Sequence, residues 1–530
     1  MSLVQVTDLS VEFGDLRAVD GLSFRLQQGA ALALVGESGS GKSTVASALL
    51  GLHRGTGARV GGSIEVAGTD VQEASDDELR RLRGAKAAMV FQDPLSSLDP
   101  YYAIGDQIAE VYRVHTRASR RAARARAVDV LDRVGIPDAQ RRSRSRPHEF
   151  SGGMRQRALI AMALACEPDL LIADEPTTAL DVTVQAQILD LLHTLREETG
   201  MGLLLVTHDV GVAAESVDEV LVMRHGRVVE HGRVGAVLGA PKEPYTRDLL
   251  AAVPRVDASR APSEASEEVV LEAVGLRREF GRGKRAFAAV DDVSLTVHRG
   301  ETLGIVGESG SGKTTLGRML VGLLEPTVGE VRHDGHARVG VNPAVQMVFQ
   351  DPVSSLNPRR SVGESIADPL RARGERDEGR IRGRVRELLE RVGLEAAHYD
   401  RYPHEFSGGQ RQRVGIARAL AADPRVIVCD EPVSALDVTT QAQVVALLGE
   451  LQRELGLALV FVAHDLAVVR QVSDRVAVMQ RGRIVEQGPA DEVYDNPQDP
   501  YTKQLLAAVP ALDPEVAARR RTARRELTAA

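Results

Sequence analysis

The chain has 530 residues, of which 43% are hydrophobic and 26% charged, and its formal net charge is −8. This length predicts two to four domains, and the composition is typical of a soluble globular protein. The acidic balance argues against a chain that binds polyanions as a whole, and the 3% aromatic content without tryptophan argues against a platform for stacking single-stranded bases.

The sequence is an internal repeat of two halves. Ser151, Asp174 and His208 recur at one common separation as Ser407, Asp430 and His464. We predict a first domain over residues 1–254, a flexible polar linker over 255–268, a second domain over 269–510 and a charged, partly frayed tail over 511–530. The first half also carries an extra Gly-rich and acidic stretch, Gly55–Asp77, which we interpret as a longer surface loop.

Each half begins with an alternating apolar segment, Leu3–Phe13 or Val269–Phe280, which predicts antiparallel strands. A short apolar run follows in each half, Ala31–Val35 or Leu303–Val306, and predicts a buried strand.

Each buried strand leads into a loop of the form G-x-x-x-x-G-K-[ST], and a helix-like run leaves that loop, Thr44–Leu52 or Thr315–Leu324. In such a loop the backbone N–H groups curl around phosphate oxygens, and the lysine and the helix N-terminus add positive charge. The predicted nucleotide-binding residues of the loops are Gly36, Ser38, Gly39, Ser40, Gly41, Lys42, Ser43 and Thr44 in the first half, and Gly307, Ser309, Gly310, Ser311, Gly312, Lys313, Thr314 and Thr315 in the second.

The middle of each half, 105–146 or 363–401, is charged and predicts helices. Its basic stretch Arg117–Arg126 is interpreted as a solvated helix face rather than a nucleic-acid site, because no aromatic side chains accompany it. The remainder of each half alternates short strands with helices, which predicts an α/β parallel sheet covered on both faces.

Phosphoryl transfer needs a metal ion and a base in addition to the phosphate cradle. The hydroxyls of Ser43 and Thr314 are candidate Mg²⁺ ligands, and the apolar strands that follow end in the candidate metal carboxylates Asp174 and Asp430. The next residues, Glu175 and Glu431, are the candidate general bases that accept a proton from the attacking water.

Two further segments, Phe150–Met154 and Phe406–Gln410, resemble the signature motif of the ATP-binding-cassette (ABC) ATPases. The resemblance covers nearly the whole chain, and it implies two P-loop ABC nucleotide-binding domains, each with a mixed core sheet, an antiparallel β subdomain and a helical subdomain. It adds glutamine loops, D-loops and switch histidines to the candidate site residues. These additions are Gln92 and Gln350 for ATP and Mg²⁺, the D-loops Ala179–Asp181 and Ala435–Asp437, the switch histidines His208 and His464, and the signature residues Ser151, Gly152, Gly153, Met154, Ser407, Gly408, Gly409 and Gln410 for ATP.

In ABC proteins the signature faces the P-loop of the opposite cassette. The resemblance therefore implies one site with Lys42, Asp174 and Glu175 beside residues 407–410. The other site would join Lys313, Asp430 and Glu431 to residues 151–154. Adenine should stack on an aromatic ring of the first antiparallel segment, with Phe13 and Phe280 as candidates, core packing as the alternative, and Phe287 as a rival in the second half.

Several segments narrow the resemblance to the ATPases of dipeptide, oligopeptide and nickel importers. They are the loops 92–100 and 350–358 (Q-D-P-x-x-S-L-[DN]-P), the runs Pro147–Phe150 and Pro403–Phe406, and the P-Y-T segments at 244–246 and 500–502. DNA-acting and ribosome-associated ABC proteins carry coiled-coil insertions or long helical linkers, which this chain lacks. Met154 departs from the glutamine of the usual signature, and a C-terminal iron–sulfur cysteine cluster is not carried over, because Cys166 and Cys429 are the only cysteines and are expected to be buried thiols.

The resemblance thus implies an ATPase that requires ATP and Mg²⁺ and drives uptake of peptides through two membrane permeases and, indirectly, an extracytoplasmic solute-binding protein. The same motor serving nickel, opines or glycosides is one alternative, and a soluble tandem ABC protein acting on ribosomes or nucleic acid is another. No stretch predicts a membrane span or a signal peptide, so we expect a peripheral protein on the cytoplasmic face of the cell membrane, without nucleic acid as a partner.

Overall fold

The computed structural model describes residues 2–178, 180–258, 266–281, 283, 286–351, 355–434 and 436–529. Ala179 and Ala435 of the D-loops, residues 352–354 of the second glutamine loop and residues 259–265 of the linker lie outside this part of the chain.

The chain forms two compact units. Unit 1 comprises Met1–Leu180, Val184–Val253 and Pro510–Ala530, and unit 2 comprises Asp181–Thr183 and Pro254–Val509. Within the described residues, no helix combines the length and the apolar character needed to cross a membrane.

Unit 1 contains an antiparallel sheet and a mixed sheet. In spatial order the antiparallel sheet has the strands Leu16–Gln27, Ser2–Phe13, Arg59–Val66 and Thr69–Asp70. The mixed sheet has the order Arg227–Arg233, Glu219–Arg224, Ala31–Val35, Gly202–Thr207, Leu170–Asp174 and Ala87–Val90. All neighbours in the mixed sheet are parallel except the edge pair of Arg227–Arg233 with Glu219–Arg224.

Unit 2 repeats this plan. Its antiparallel sheet has the order Phe287–His298, Val269–Phe280, Val328–His333 and His336–Arg338. Its mixed sheet has the order Val345–Val348, Val426–Asp430, Ala458–Val462, Thr302–Val306, Arg475–Gln480 and Arg483–Pro489. The α/β fold class and the mixed and antiparallel sheets predicted from the sequence are confirmed.

Helices cover the mixed sheets and form the helical subdomains. In the first half they are Lys42–Leu49, Asp76–Leu82, Pro94–Ser97, Ile104–Thr116, Arg120–Arg133, Ala139–Arg142, Gly152–Ala163, Val182–Thr199, Val210–Ser216, Val234–Gly239 and Pro244–Ala252, with short 3₁₀ turns at Pro147–Glu149 and Leu164–Cys166. In the second half they are Lys313–Leu320, Val362–Ala372, Glu378–Arg391, Gly408–Ala421, Val438–Leu455, Leu466–Val472, Ala490–Asp495, Pro500–Ala507 and Pro514–Ala529, with 3₁₀ turns at Ala396–Asp400 and Pro403–Glu405.

Alternation along the buried strand that precedes the P-loop places the strand between two cores. Ala31, Ala33 and Val35 pack in the core that includes the helical subdomain. Leu32 and Leu34 pack on the opposite face, against the antiparallel sheet and the helix that follows the P-loop. Both faces of this strand are therefore buried, as is typical of a central parallel strand, and the P-loop starts directly at its end.

Three local predictions differ from the structure. The stretch Gly55–Asp77 contains strands and the start of the helix Asp76–Leu82, which Ser75 and Glu78 cap reciprocally, so it is more than a surface loop. The tail forms the helix Pro514–Ala529 instead of fraying, because it packs on unit 1. Cys429 is buried as expected, whereas Cys166 is partly exposed.

Two candidate nucleotide-binding sites

The P-loops adopt a backbone that only glycine fits. Gly36 has φ 154°, and a Cβ atom there would lie 2.2 Å from the carbonyl oxygen of Met223. Gly41 has φ 98°, and a Cβ atom there would lie 2.4 Å from the carbonyl oxygen of Ala18. The second loop repeats both constraints, with distances of 2.2 Å at Gly307 and 2.3 Å at Gly312. The carbonyl groups of neighbouring strands thus leave no space for a side chain at these four positions, and the curled glycine-rich backbone is of the kind that binds phosphate through its N–H groups.

The P-loop lysines are held inside their loops. Lys42 Nζ donates to the carbonyl oxygens of Gly36 and Glu37, each at 2.8 Å. Lys313 Nζ donates to the carbonyl oxygens of Gly307 and Glu308 at 2.8 and 2.9 Å. These contacts fix each ammonium at the centre of its loop, where phosphate oxygens would replace or join the carbonyl acceptors.

Burial lowers the pKa of the Lys313 ammonium, although the negative charges of Glu431, Asp181 and Asp430 oppose that shift. Asp181 belongs to the D-loop of the first half by sequence, yet it is part of unit 2, as is Lys313. The other D-loop aspartate, Asp437, caps the helix Val438–Leu455 by accepting from Thr440 N at 2.9 Å.

The candidate metal ligands are paired across each site. Ser43 Oγ donates to Asp174 Oδ1 at 3.0 Å, and Thr314 Oγ1 donates to Asp430 Oδ1 at 3.0 Å. Burial raises the pKa of both carboxyls, and the hydroxyl hydrogen bonds oppose that shift. A hydroxyl and a carboxylate at this distance form a hard oxygen pair of the kind that Mg²⁺ prefers. The residues therefore fit the metal ion that the P-loop chemistry requires.

The candidate bases occupy an unusual backbone conformation. Glu175 and Glu431 have φ of 47° and 46°, in the left-handed region that side chains other than glycine rarely adopt. Glu175 N donates to the carbonyl oxygen of Val206 at 2.8 Å, and Glu431 N donates to that of Val462 at 2.9 Å. Such a conformation costs about 1–3 kcal/mol, and it persists only where the surrounding structure enforces it.

The predicted glutamine and histidine converge on the same carboxylate in each half. Gln92 Nε2 donates to Glu175 Oε2 at 2.7 Å, and His208 Nδ1 lies 3.2 Å from Glu175 Oε1. In the second half Gln350 Nε2 donates to Glu431 at 2.8 Å, and His464 Nδ1 lies 3.3 Å from the same carboxylate. In this structure the glutamine amide nitrogen therefore faces the base.

These contacts keep the carboxylates ionised. Burial raises the pKa of Glu175, but the hydrogen bond and charge of His208, with smaller contributions from Thr178 and Lys42, outweigh it, so the pKa of Glu175 is lowered. The hydrogen bond to Glu175 raises the pKa of His208. Glu431 and His464 shift in the same directions. An ionised glutamate is the form that can accept a proton from water.

We expect His208 to titrate above its ordinary pKa of about 6.5, and Glu175→Gln to return that value toward normal, because the neutral amide removes the charge. Histidine NMR titration of both proteins measures it, with His208→Ala used to assign the resonance. Because the pKa of Glu175 is lowered and that of His208 is raised in the folded protein, the pair contributes its full stability between about pH 4.3 and about pH 6.5, the ordinary pKa values of the two groups. That contribution is lost as pH falls through the lowered pKa of Glu175 or rises through the raised pKa of His208. An unchanged histidine titration in Glu175→Gln would contradict the pairing.

Thr178 is a site residue that the sequence analysis missed. Thr178 Oγ1 donates to Glu175 Oε2 at 2.8 Å. At the same position of the second half, Ser434 Oγ donates to the carbonyl oxygen of Glu431 at 3.2 Å instead. The difference between Pro-Thr-Thr and Pro-Val-Ser after the Asp-Glu pair was the available signal.

The signature residues cap helices. Ser151 Oγ accepts from Met154 N at 3.3 Å at the start of the helix Gly152–Ala163, and Ser407 Oγ accepts from Gln410 N at 3.3 Å at the start of Gly408–Ala421. Gln410 Oε1 also accepts from Ser407 N at 3.0 Å, whereas Met154 offers only a thioether, which is a weak acceptor. The N–H groups of the first turn and the positive end of the helix dipole suit each signature to an anion.

The adenine candidates lie at the ends of strands. Phe13 is 38% exposed, and its ring centroid lies 5.4 Å from that of His53 in an edge-on contact. The Phe280 ring lies 5.9 Å from that of Phe287 and 5.0 Å from the guanidinium carbon of Arg278. Phe287 is 61% exposed. The exposure of Phe13 argues against its core-packing alternative. In the second half Phe280 is partly buried, and its rival Phe287 is the more exposed ring.

Two family models match this chain. The model described as "ABC transporter" matches residues 19–178 and 290–434. The chain belongs to the ABC transporter family. A second model, "Oligopeptide/dipeptide transporter, C-terminal region", matches residues 229–275 and 485–529, at the end of each half. The protein is therefore an ATP-binding ATPase of this family, and both P-loops described above lie within the matched cassettes.

Relatives place it among importers. It is 47% identical to the "Glutathione import ATP-binding protein GsiA" of Salmonella choleraesuis, over 97% of this chain and 90% of the relative. It is 48% identical to the protein of the same name from Escherichia coli O6:H1, over 94% and 87% of the two chains. The solved structure of cbiO1 from Clostridium perfringens, part of the ABC transporter complex cbiONQ, is 31% identical over 43% of this chain and 92% of its own, with a TM-score of 0.40. The chain is the ATP-binding subunit of an ABC importer.

Proposed function

We propose that this ATPase drives uptake of peptides through two membrane permeases, fed by an extracytoplasmic solute-binding protein, and works on the cytoplasmic face of the cell membrane. The match of both cassette ends to the C-terminal region of oligopeptide and dipeptide transporters carries the proposal. The relatives named for glutathione import support it, because glutathione is itself a short peptide. Nickel, opines and glycosides are the alternative solutes for the same motor.

Each ATP is proposed to bind between the P-loop of one half and the signature of the other. The Lys42 site would use residues 407–410, and the Lys313 site would use residues 151–154. The membership of Asp181 in unit 2 supports this arrangement, because it brings a D-loop residue of the first half close enough to act electrostatically on Lys313. Closure on ATP and release on hydrolysis would then transmit force to the permeases.

Mg²⁺ is proposed as the only metal required, held by Ser43 and Asp174 in one site and by Thr314 and Asp430 in the other. The metal would neutralise charge on the transferred phosphoryl group, while the protein residues position it. Hydrolysis should stop on chelation and return with Mg²⁺ alone. Stoichiometric iron or zinc in the purified protein, measured by elemental analysis, would contradict this.

The Met154 and Gln410 signatures should differ in nucleotide affinity. Gln410 secures the start of its helix through Ser407 N and retains amide donors for the closed site, whereas the Met154 thioether is a weak acceptor and no donor. One net hydrogen bond is worth about 0.5–1.5 kcal/mol, which predicts about 2- to 12-fold weaker nucleotide trapping at the Lys313 site. Met154→Gln should tighten trapping at that site, and Gln410→Met should weaken it at the Lys42 site. Equal occupancies in site-resolved trapping, before and after both changes, would show that methionine packing and the glycine N–H groups suffice.

Transport in reconstituted vesicles tests the proposed function. The chain is co-purified with candidate permeases from the same genome, and ATP-dependent uptake of labelled glutathione, a tripeptide and Ni²⁺ is compared. The proposal predicts peptide uptake that is lost in the Glu175→Gln/Glu431→Gln double variant. Uptake of Ni²⁺ without peptide would favour the alternative motor. Salt-releasable sedimentation with ribosomes, in the absence of membrane association, would overturn a transport role.

A further inference from the structure

The C-terminal helix Pro514–Ala529 follows the second cassette in sequence but belongs to unit 1. The chain enters unit 1 at Pro510, whose Cβ lies 3.1 Å from the point where a Cβ of Gly211 would stand, so the two residues are in close contact. Leu512 then packs against the core of unit 1 that contains the helical subdomain. This segment is therefore anchored by apolar contacts before the helix begins.

Arg524 on this helix enters an acidic site formed by Asp190 and Glu215 of the first half. Its Nη2 donates to Glu215 Oε1 at 2.8 Å and to Asp190 Oδ1 at 3.0 Å, and its Nε donates to Asp190 Oδ2 at 3.2 Å. One turn earlier, Arg521 donates to the carbonyl oxygen of Glu215, and its Nε lies 3.8 Å from Asp190 Oδ1. The guanidinium of Arg524 thus bridges the carboxylates of Asp190 and Glu215. The guanidinium of Arg521 binds the main-chain carbonyl of Glu215 beside them.

The charged groups of this contact are buried, which makes the contact costly to break. The side chains of Arg524 and Glu215 are only 10% and 2% exposed. Burial raises the pKa of Glu215, and the charge and hydrogen bond of Arg524 oppose that shift. An ion pair of this kind is costly to break from one side, because the remaining charge stays buried without its partner. Undocking the helix would instead open the site to water and separate two charges that are otherwise matched.

The second half does not repeat the acidic site. The residues that correspond to Asp190 and Glu215, at the separation of His208 from His464, are Ala446 and Gln471. Arg470 stands beside that position in unit 2, where it forms a bidentate pair with Asp495 at 2.7 and 2.8 Å and donates to the carbonyl oxygen of Val256. An arginine-bearing helix would meet a positive charge there, so the acidic site is specific to unit 1.

The segment around Val256, at the end of the first half, corresponds to the segment around Leu512 at the end of the second half. Val256 packs against the core of unit 2, as Leu512 packs against the core of unit 1. The two residues follow the two copies of Ala-Ala-Val-Pro, at 251–254 and 507–510, by the same distance. In each half, the chain that leaves the cassette is incorporated into the other unit: unit 2 begins its main segment at Pro254, and unit 1 resumes at Pro510.

We propose that Asp190 and Glu215 form a docking site whose ligand is the arginine face of the chain's own C-terminal helix, and that docking ties the second cassette to the first through a connection additional to the linker. A second connection raises the effective concentration of each signature near the opposite P-loop. This consequence for ATP use rests on the proposed composite sites, whereas the docking itself does not.

Hydrogen–deuterium exchange on the full chain tests the docking. In the native protein the amides of 516–524 and of the helix Val210–Ser216 should be protected. Arg524→Gln and Glu215→Gln should each speed exchange of the C-terminal helix at least about tenfold. The double variant should be no worse than either single variant, because both act through one contact. Ala518→Gln, at an exposed position on the same helix, is the matched control.

Three results would overturn the docking: fast exchange of the C-terminal helix in the native protein, unchanged exchange in Arg524→Gln, or additive effects in the double variant. Should Arg524→Gln fold poorly, a chain ending at Asp513 replaces it, and exchange of Val210–Ser216 must then rise. In the folded variants the ATP concentration for half-maximal hydrolysis should rise while the maximal rate changes little. Faster exchange with unchanged ATP dependence would confirm the docking and refute its role as a tether of composite sites.

Discussion

Glu175→Gln and Glu431→Gln should each lower ATP turnover at their own site by about 10²- to 10⁴-fold, the usual contribution of a general base. The substitution keeps the size of the side chain and its contacts with Gln92 or Gln350, but an amide cannot accept the proton of the attacking water. The lowered pKa of both carboxyls means that the native enzyme holds the base ready at neutral pH. Transport-coupled turnover of the separate variants measures the effect.

The exposed Glu450→Gln serves as the matched control and should retain native turnover. ATP binding should persist in both active-site variants, because the P-loop is untouched. Native turnover in one of them would show that its carboxylate is not the base, and would leave only the other site catalytic.

Lys42→Ala and Lys313→Ala should weaken ATP binding at their own sites by about tenfold to 150-fold. Each ammonium is held by two loop carbonyls at the centre of its P-loop, where it can donate to phosphate. Hydrogen bonds to charged groups are worth about 1.5–3 kcal/mol, which corresponds to that range of affinity. Site-resolved binding of a labelled ATP analogue measures the loss.

Lys503→Ala, which removes an exposed lysine of the second half, is the control and should bind ATP normally. Equal losses at both sites from either P-loop variant would mean that the sites do not bind independently. Native affinity in Lys42→Ala would contradict the placement of its charge beside the phosphates.

The P-loops and the Asp-Glu pairs could be predicted because their chemistry is local. A strand, a glycine-rich loop and a helix N-terminus follow one another within a few residues, so spacing alone indicates the site. His208 and Gln92 were named as site residues only through the family resemblance, and their convergence on Glu175 was not predicted, because parallel strands bring together residues that are remote in sequence. The helix Asp76–Leu82 was missed although Ser75 and Glu78 carry the capping-box pattern.

Other features have a weak local signal or none. The threonine at position 178, where the second half has Ser434, was the available signal for the hydrogen bond to Glu175. Arg524 binds Asp190 and Glu215, which are separated from it by more than half of the chain. The composition of the tail by itself indicates only a solvated basic segment. The reciprocal contact of Gln410 with Ser407 was not predicted either, although the two residues carry the capping-box pattern.

The central claim is that each P-loop shares its ATP with the signature of the other half. Counting the ATP bound by two variants, each with one P-loop and one signature substitution, tests this claim most directly. A Cβ at Gly152 or Gly408 would have its nearest contacts at 3.7 and 3.5 Å, so aspartate can be placed at either signature without backbone conflict and would repel phosphate there. In a Glu175→Gln/Glu431→Gln background, Lys42→Ala with Gly408→Asp damages one proposed site twice and should retain the nucleotide of the Lys313 site. Lys42→Ala with Gly152→Asp damages both sites and should retain none. The reverse pattern would show that each signature serves its own half and would contradict the account.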